Sequence, residues 1–418
     1  MKQQLTGVAI ALTMMATVAA CSNDSQMAVK PVICPEVDSV VTAEDNDLRS
    51  INLTRSEQQL VTANNDFAFN LMRKVYNKDK SQILSPISIT YALGMLNNGA
   101  AGETQQQINE VLGFTSAAEV NDFCRKMLTE APMLDKLTKV MISNTIYMNK
   151  DYQLKPAFKQ TANDYYDAQP ETRDFHDGKT MNVINQWASD HTEQMITKVL
   201  DTQSFNPDAV SYLLNAIYFK GTWAEKFDKD QTRNEAFNGG SQVPMMHQEA
   251  HLLYAETPDY QALRMPYGNR AYSMTVLLPR EGKTVGDVLE GLTGKTLERL
   301  PLQEAVADVK LPRFESSTDI KLNDFMASLG MPKAFTEYAE FPEFCNVPTF
   351  ISLMKQVARI KVNETGTEAA AVTVIGVDLT ALPSPTPHVT FHATRPFLYV
   401  ISEQSTGAIF FVGQYMGK

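Results

Sequence analysis

Between residues 361 and 381 the chain alternates in a graded way. Taking every second position, Thr367, Ala369, Ala371, Thr373, Ile375, Val377 and Leu379 fall on one face, small at first and apolar later, while Glu368 and Asp378 fall on the other. Period-two alternation predicts a strand, and the grading predicts a strand that can enter an existing sheet: its leading side chains need no cavity and its trailing ones fill one. The competing prediction is a helix opening at Thr367, with that residue as cap and Ala369 to Ala371 as good formers. Val372-Thr373-Val374-Ile375 and Gly376 oppose it, because β-branched residues and glycine disfavour a short helix. The segment therefore reads as a strand kept out of its sheet. Further on, Val389 and Thr390 predict a short strand that puts His388 and His392 on one face.

Motifs elsewhere set this segment in a family context. Glu364-Thr365-Gly366-Thr367-Glu368-Ala369-Ala370-Ala371 resembles the reactive-loop hinge of the serpins, and Arg395-Pro396-Phe397-Leu398-Tyr399-Val400-Ile401 is similar to that family's last strands. Ile83-Leu84-Ser85-Pro86-Ile87-Ser88-Ile89, with Ala92 to Leu96 and Gly102-Glu103-Thr104, resembles the helix under the main sheet. Asn215 to Trp223, with Phe227, resembles a central strand and the point where loop insertion starts. Met274 to Pro279, Leu311 to Glu315, Leu329-Gly330-Met331 and Ala334-Phe335 follow in family order, so the resemblance runs from about residue 60 to 413.

The resemblance implies an α+β serpin fold of three β-sheets, eight or nine helices and an exposed reactive-centre loop. It implies a protease inhibitor and no enzyme: a suicide substrate for serine proteases, with cysteine proteases as a secondary class. Counting from Glu364 in the family manner places the scissile bond at Thr380-Ala381, with Val377 and Leu379 as alternative sites. A small uncharged residue before the bond points to elastase-like targets, or chymotrypsin-like ones at the alternatives. The hinge comprises Glu364, Gly366, Thr367, Ala369, Ala370 and Ala371. The family's sheet-opening hydrogen-bond cluster falls on Ser85, Ser88 and Asn215, with Gln356 where a histidine is common; an amide both donates and accepts, so it can serve there. The run Ala381 to His388 is longer and richer in proline than in familiar members. A non-inhibitory carrier or structural serpin is the alternative, against which the intact Ala369-Ala370-Ala371 stands.

Composition adds limits. At 44% hydrophobic over 418 residues the chain can bury a substantial core, and no Gly/Ser-rich linker or repeat interrupts residues 60 to 418. A net charge of −11 argues against nucleic acid as a partner. At the N-terminus, Lys2, the apolar run from Leu5 to Ala19, and Val18-Ala19-Ala20-Cys21 match a bacterial lipoprotein signal. Residues 1–20 are then signal peptide, Cys21 the acylated residue, 21–55 a solvated tether, and 56–418 the serpin domain. Ser22 after the lipidated cysteine suggests the outer membrane, with the cell surface as a further option, and a monomer is expected. Only Cys34, Cys124 and Cys345 remain, too few for a disulfide framework.

Rival chemistries lack their constellations. In His247-Gln248-Glu249-Ala250-His251 the acid does not adjoin the first histidine, as a zinc-protease helix requires. Gly294-Lys295-Thr296 lacks the glycine spacing of a phosphate loop, and no Gly-x-Ser-x-Gly elbow occurs. No metal and no cofactor are expected. Apolar positions such as Met95 and Phe335 are expected in the core.

Overall fold

The computed structural model describes residues 46–367 and 386–417. In chain order the first elements are α1 (Arg55–Val75), β1 (Gln82–Leu84), α2 (Pro86–Asn97), α3 (Gly102–Leu112), α4 (Ala117–Glu130), β2 (Thr138–Asn149), α5 (Pro156–Tyr166), β3 (Gln169–Arg173) and α6 (Thr180–Asp190). Then come β4 (Ser211–Thr222), β5 (Arg233–Ala236), β6 (Gln242–Glu256), β7 (Tyr260–Tyr267), β8 (Tyr272–Pro279), α7 (Val285–Gly291) and α8 (Gly294–Glu298). The last are β9 (Gln303–Pro312), β10 (Phe314–Lys321), α9 (Asn323–Leu329), β11 (Lys355–Asn363), β12 (Gly366–Thr367), β13 (His388–His392), β14 (Phe397–Glu403) and β15 (Ile409–Tyr415). Nine α-helices among the described residues agree with the α+β fold expected.

Local chemistry sets the helix starts. Thr54 caps α1 through a reciprocal pair with Glu57, satisfying two otherwise orphaned amides. Pro86 opens α2, whose missing N–H costs nothing in the first turn. Nearly every side chain of α2 is buried, from Pro86 to Asn97, which makes it a central pillar and not an amphipathic surface helix.

One sheet has the strand order β10-β11-β12-β4-β2-β3. The other runs β1-β15-β14-β8-β7-β6-β9-β13, with β5 beside β6. Hydrogen bonding thus defines two networks among the described residues where three sheets were expected. The fifteen-residue β6 pairs with β9 from Met245 to Tyr254 and with β7 from Leu253 to Glu256, so it joins the β5-β6-β9-β13 corner to the remaining strands. The main core fills the space among these sheets and α1, α2 and α4; Met95 is fully buried, whereas Phe335 is only partly so.

Residues 46–54, expected to belong to a solvated tether, pack against the domain. Residues 46–54 are polar in composition but docked: Ile51 is 2% exposed and its amide donates to Ser405 Oγ at 2.9 Å. Asn46 Nδ2 donates to Asp135 Oδ1 at 2.7 Å, and the Lys136 amide donates back to Asn46 Oδ1 at 2.8 Å. Ile51, with Leu53 partly buried against the core, and the side-chain amide of Asn46 fix a segment that polarity alone marks as solvated. Residues 1–45, including Cys21 and Cys34, lie outside the described residues. Cys124 and Cys345 are buried free thiols.

Ile51→Ala should lower stability by about 2 kcal/mol, in the lower range for truncating a buried isoleucine. Leu48→Ala, at a position 61% exposed, should change it by less than about 0.5 kcal/mol. Thermal melting of the two variants checks this; equal effects would mean that the segment is not docked.

Candidate functional site

The site forms where β11 turns toward β4. At Asn363 the chain leaves β11, and Asn363 Oδ1 accepts from the amide and the hydroxyl of Thr365, at 2.9 and 2.8 Å, fixing a tight turn. Gly366 and Thr367 then enter the sheet as β12. They pair antiparallel with Asn363 and Val362 on one side and with Thr222 and Gly221 on the other. Gly366 adopts φ +149°, and a Cβ there would lie 2.0 Å from the carbonyl oxygen of Gly221. No other residue type fits without parting the strands. Gly221 in turn lies beneath the Tyr267 ring, where a Cβ would meet Cδ1 at 2.7 Å.

Trp223 organises the backbone of this turn. Its amide donates to Thr365 O at 3.0 Å and its indole Nε1 to Asn363 O at 2.9 Å. The Phe227 amide donates to Glu364 O at 3.0 Å. The Trp223 ring, 1% exposed, stacks on Tyr267 with centroids 4.4 Å apart. Tyr267 Oη and Thr367 Oγ1 share a 2.6 Å hydrogen bond, and Thr367 is wholly buried. Burial drives the Tyr267 hydroxyl far above its ordinary pKa, so it stays neutral.

Glu364 closes the turn by charge. It pairs with Arg313 and accepts from Thr232 Oγ1 at 2.7 Å, while its own side chain is 2% exposed. Burial pushes its carboxyl upward, but the Arg313 and Thr232 donors outweigh that and hold it below its ordinary value.

Beyond Thr367 the two halves of the sheet part. Among the described residues no ladder joins β4 directly to β11, and the two-residue β12 is their one link. The opening below is a cleft of about 180 Å³ over α2. Ser85, Ser88, Asn215 and Gln356 all line it, so the structure brings the four expected residues to one place. Their bonding differs from a single cluster. Gln356 Nε2 donates to Ser85 O at 2.9 Å and its Oε1 accepts from the Ser85 amide at 3.1 Å, using both halves of the amide. Ser85 Oγ donates to Phe410 O. Asn215 instead donates to Asn144 Oδ1 at 2.8 Å, because the β2/β4 register sets the two asparagines opposite each other. Asn215 Oδ1 is left buried without a partner, and Ser88 bonds none of the other three.

The segment read as a strand outside its sheet thus needs correction at its start. Lys361 to Asn363 belong to β11, and Gly366 with Thr367 is already inserted. Short-range pairing, the Tyr267 hydroxyl and the Trp223 bonds hold them there. Ala369, Ala370, Ala371, Val377, Leu379, Thr380 and Ala381 lie outside the described residues. Tyr267, Arg313 and Asn144 were not anticipated as site residues: Tyr267 and Asn144 reach the site from the distant strands β7 and β2, and Arg313, though within the Leu311 to Glu315 motif, reaches it from the junction of β9 and β10. His388 and His392 do sit on a strand, and among the described residues no group of three or more histidine, cysteine, aspartate or glutamate side chains is arranged to hold a metal.

Comparison with known proteins places this geometry. The family model described as Serpin (serine protease inhibitor) matches residues 62–417. Human Serpin B4 is 32% identical over 386 residues, covering 85% of this chain and 98% of its own length. The native-state crystal structure of the thermophilic serpin tengpin superposes with a TM-score of 0.78 at 29% identity, over 89% of this chain and 97% of its own. Thyroxine-binding globulin in complex with thyroxine gives 0.75 at 28%, over 85% and 98%.

The depressed carboxyl makes Glu364 a stabilising anion above its ordinary pKa, and that contribution is lost as the pH falls through its lowered folded value. Glu364→Gln should melt a few degrees lower at neutral pH, and the gap from wild type should close below about pH 4. Thermal melts across pH check it; a gap that persists undiminished at pH 3 would show that the charge is not what holds the turn.

Proposed function

The chain belongs to the serpin family, and from that premise we propose that it is an inhibitory member, a suicide substrate that traps elastase-like serine proteases. The observation that carries the reading is the slot between β4 and β11, entered by Gly366 and Thr367 alone among the described residues. The seryl oxygen of the protease attacks the carbonyl carbon of Thr380, and the Thr380-Ala381 bond breaks. Ala381 leaves with a new amino group, while Thr380 remains as an ester on the protease. The freed strand then continues inward from Thr367.

About ten residues gaining ladder bonds at ~1 kcal/mol net each would release on the order of 10 kcal/mol, comparable to the whole stability of a domain. That is enough to drag the attached protease and spoil its catalytic geometry before water cleaves the ester, since small displacements cost orders of magnitude in rate. Thr367 faces the core, so Ala369 and Ala371, which share its face by alternation, would follow it inward.

The test is incubation with pancreatic elastase, read as a covalent complex that survives SDS. Ala369→Arg should still be cut but should release active enzyme, because a buried unpaired guanidinium slows insertion by several kcal/mol. Capture by trypsin and not elastase would refute the specificity, which follows from the absence of Lys or Arg between Lys361 and Arg395. A carrier role gains weight from the likeness to thyroxine-binding globulin; cleavage without any complex in wild type would favour it.

Lipidation at Cys21 would hold the protein at the bacterial outer membrane, with residues 22–45 as spacer. More than one acyl chain gives stable anchoring. Cys21→Ala should shift the protein from the membrane fraction to the soluble one, and a wild type that is soluble after processing would contradict the anchor.

A further inference from the structure

Two of the four large apolar side chains that stand exposed among the described residues, Leu48 and Met133, each 61% exposed, belong to one small area. Asn269 Nδ2 fixes it by donating to Asp47 O at 3.2 Å and to Leu134 O at 2.7 Å, so the residues beside Leu48 and Met133 meet on one amide. Asn46 ties the same ground a second time: its Nδ2 donates to Asp135 Oδ1, and its Oδ1 accepts from the Lys136 amide. Covalent geometry then keeps the Cα atoms of Met133, Lys136 and Arg270 within roughly 15 Å of that of Leu48.

Arg49, Lys136 and Arg270 are exposed around the apolar pair, and among the described residues none of the three takes part in an ion pair. The acids on this ground are the exposed Asp47, the half-buried Glu130 and the buried Asp135. Asp135 is already committed, accepting from Asn46 Nδ2, the Leu137 amide and Thr138 Oγ1. Single exposed apolar side chains need no explanation; a pair of them beside free cations does. This is also where residues 1–45 join the described chain.

We propose that Leu48, Met133, Arg49, Lys136 and Arg270 form a membrane-docking face for a phospholipid surface with anionic headgroups. The apolar pair enters the headgroup boundary and the cations meet lipid phosphates. The proposal rests on the reading of Cys21 as a lipid anchor. Residues 22–45 can span at most about 85 Å, so an anchored domain stays within reach of the bilayer, and a contact made inside that reach needs little affinity of its own.

Docking would also orient the sheet. Thr138, just beyond Met133, pairs with Gly221, and Tyr267, just before Asn269, bonds Thr367. The face therefore lies at the end of the sheet where β12 enters, and the Ser211 end of β4 points away from it. The entrance of the slot is thereby held near the membrane.

Flotation of full-length Cys21→Ala, which carries no anchor, with vesicles of phosphatidylethanolamine and about one-third phosphatidylglycerol tests the face by itself. It should bind them at least about fivefold better than phosphatidylcholine vesicles, and the difference should vanish in about 0.5 M salt. Adding Leu48→Ser and Met133→Ser, at positions exposed in the fold, should cut binding about tenfold, and adding Lys136→Gln and Arg270→Gln should abolish the preference for the anionic vesicles. Absence of binding to the anionic vesicles, or undiminished binding by the serine variant, overturns the face. A dimer in solution that the serine variant loses, without vesicle binding, would make it an interface between copies and equally overturns the proposal. If wild type is not membrane-bound in cells while Cys21→Ala binds the vesicles, the anchor fails and the face stands. Membrane-bound wild type with no vesicle binding by Cys21→Ala keeps the anchor and removes the face.

Discussion

Two β-strand edges that face each other without bonding govern this molecule. A buried strand edge is costly because its amides and carbonyls want partners. Here β4 and β11 are bridged by Gly366 and Thr367 and by no further described residue, with α2 running beneath the opening. The rest of the architecture serves that arrangement. The β10/β11 pair and the β2/β4 pair are each fully laddered, and among the described residues no ladder closes the seam between them below β12.

The seam is held at its top by interactions of different physical kinds. Shape excludes a side chain at Gly366 and Gly221, aromatic stacking seats Tyr267 over the entrance, and charge fixes Glu364 to Arg313. Because these act on five consecutive residues between Asn363 and Thr367, the turn is specified more heavily than its length requires. Lower down, Gln356 grips the backbone of Ser85 on both sides, tying β11 to the start of α2. Asn215 keeps an unpartnered buried oxygen at the same cleft.

Much of this was legible in the chain. Alternation predicted the extended backbone that Lys361 to Asn363 and Gly366 with Thr367 adopt, and the motifs that resemble the serpins located α2, β4 and the Trp223 corner. The dual capacity of an amide anticipated how Gln356 bonds. What escaped depends on register and tertiary approach. Asn144 meets Asn215 only because β2 and β4 align at that residue, and Tyr267 reaches Thr367 from a hairpin a hundred positions away. The depth of Thr367 also escaped, since periodicity shows which face a side chain takes but not how far a strand has entered. Polar composition likewise hid the docking of residues 46–54, where Ile51 and the partly buried Leu53 outweigh their neighbours.

The central claim is that the slot between β4 and β11 awaits the remainder of the loop. Thermal melting before and after a single confirmed cut within residues 374–382 tests it most directly. A cut chain that fills the slot gains a full strand of ladder bonds and buried apolar area, so its melting temperature should rise by tens of degrees. An unchanged or lowered melting temperature after that cut would mean that the loop does not enter the sheet.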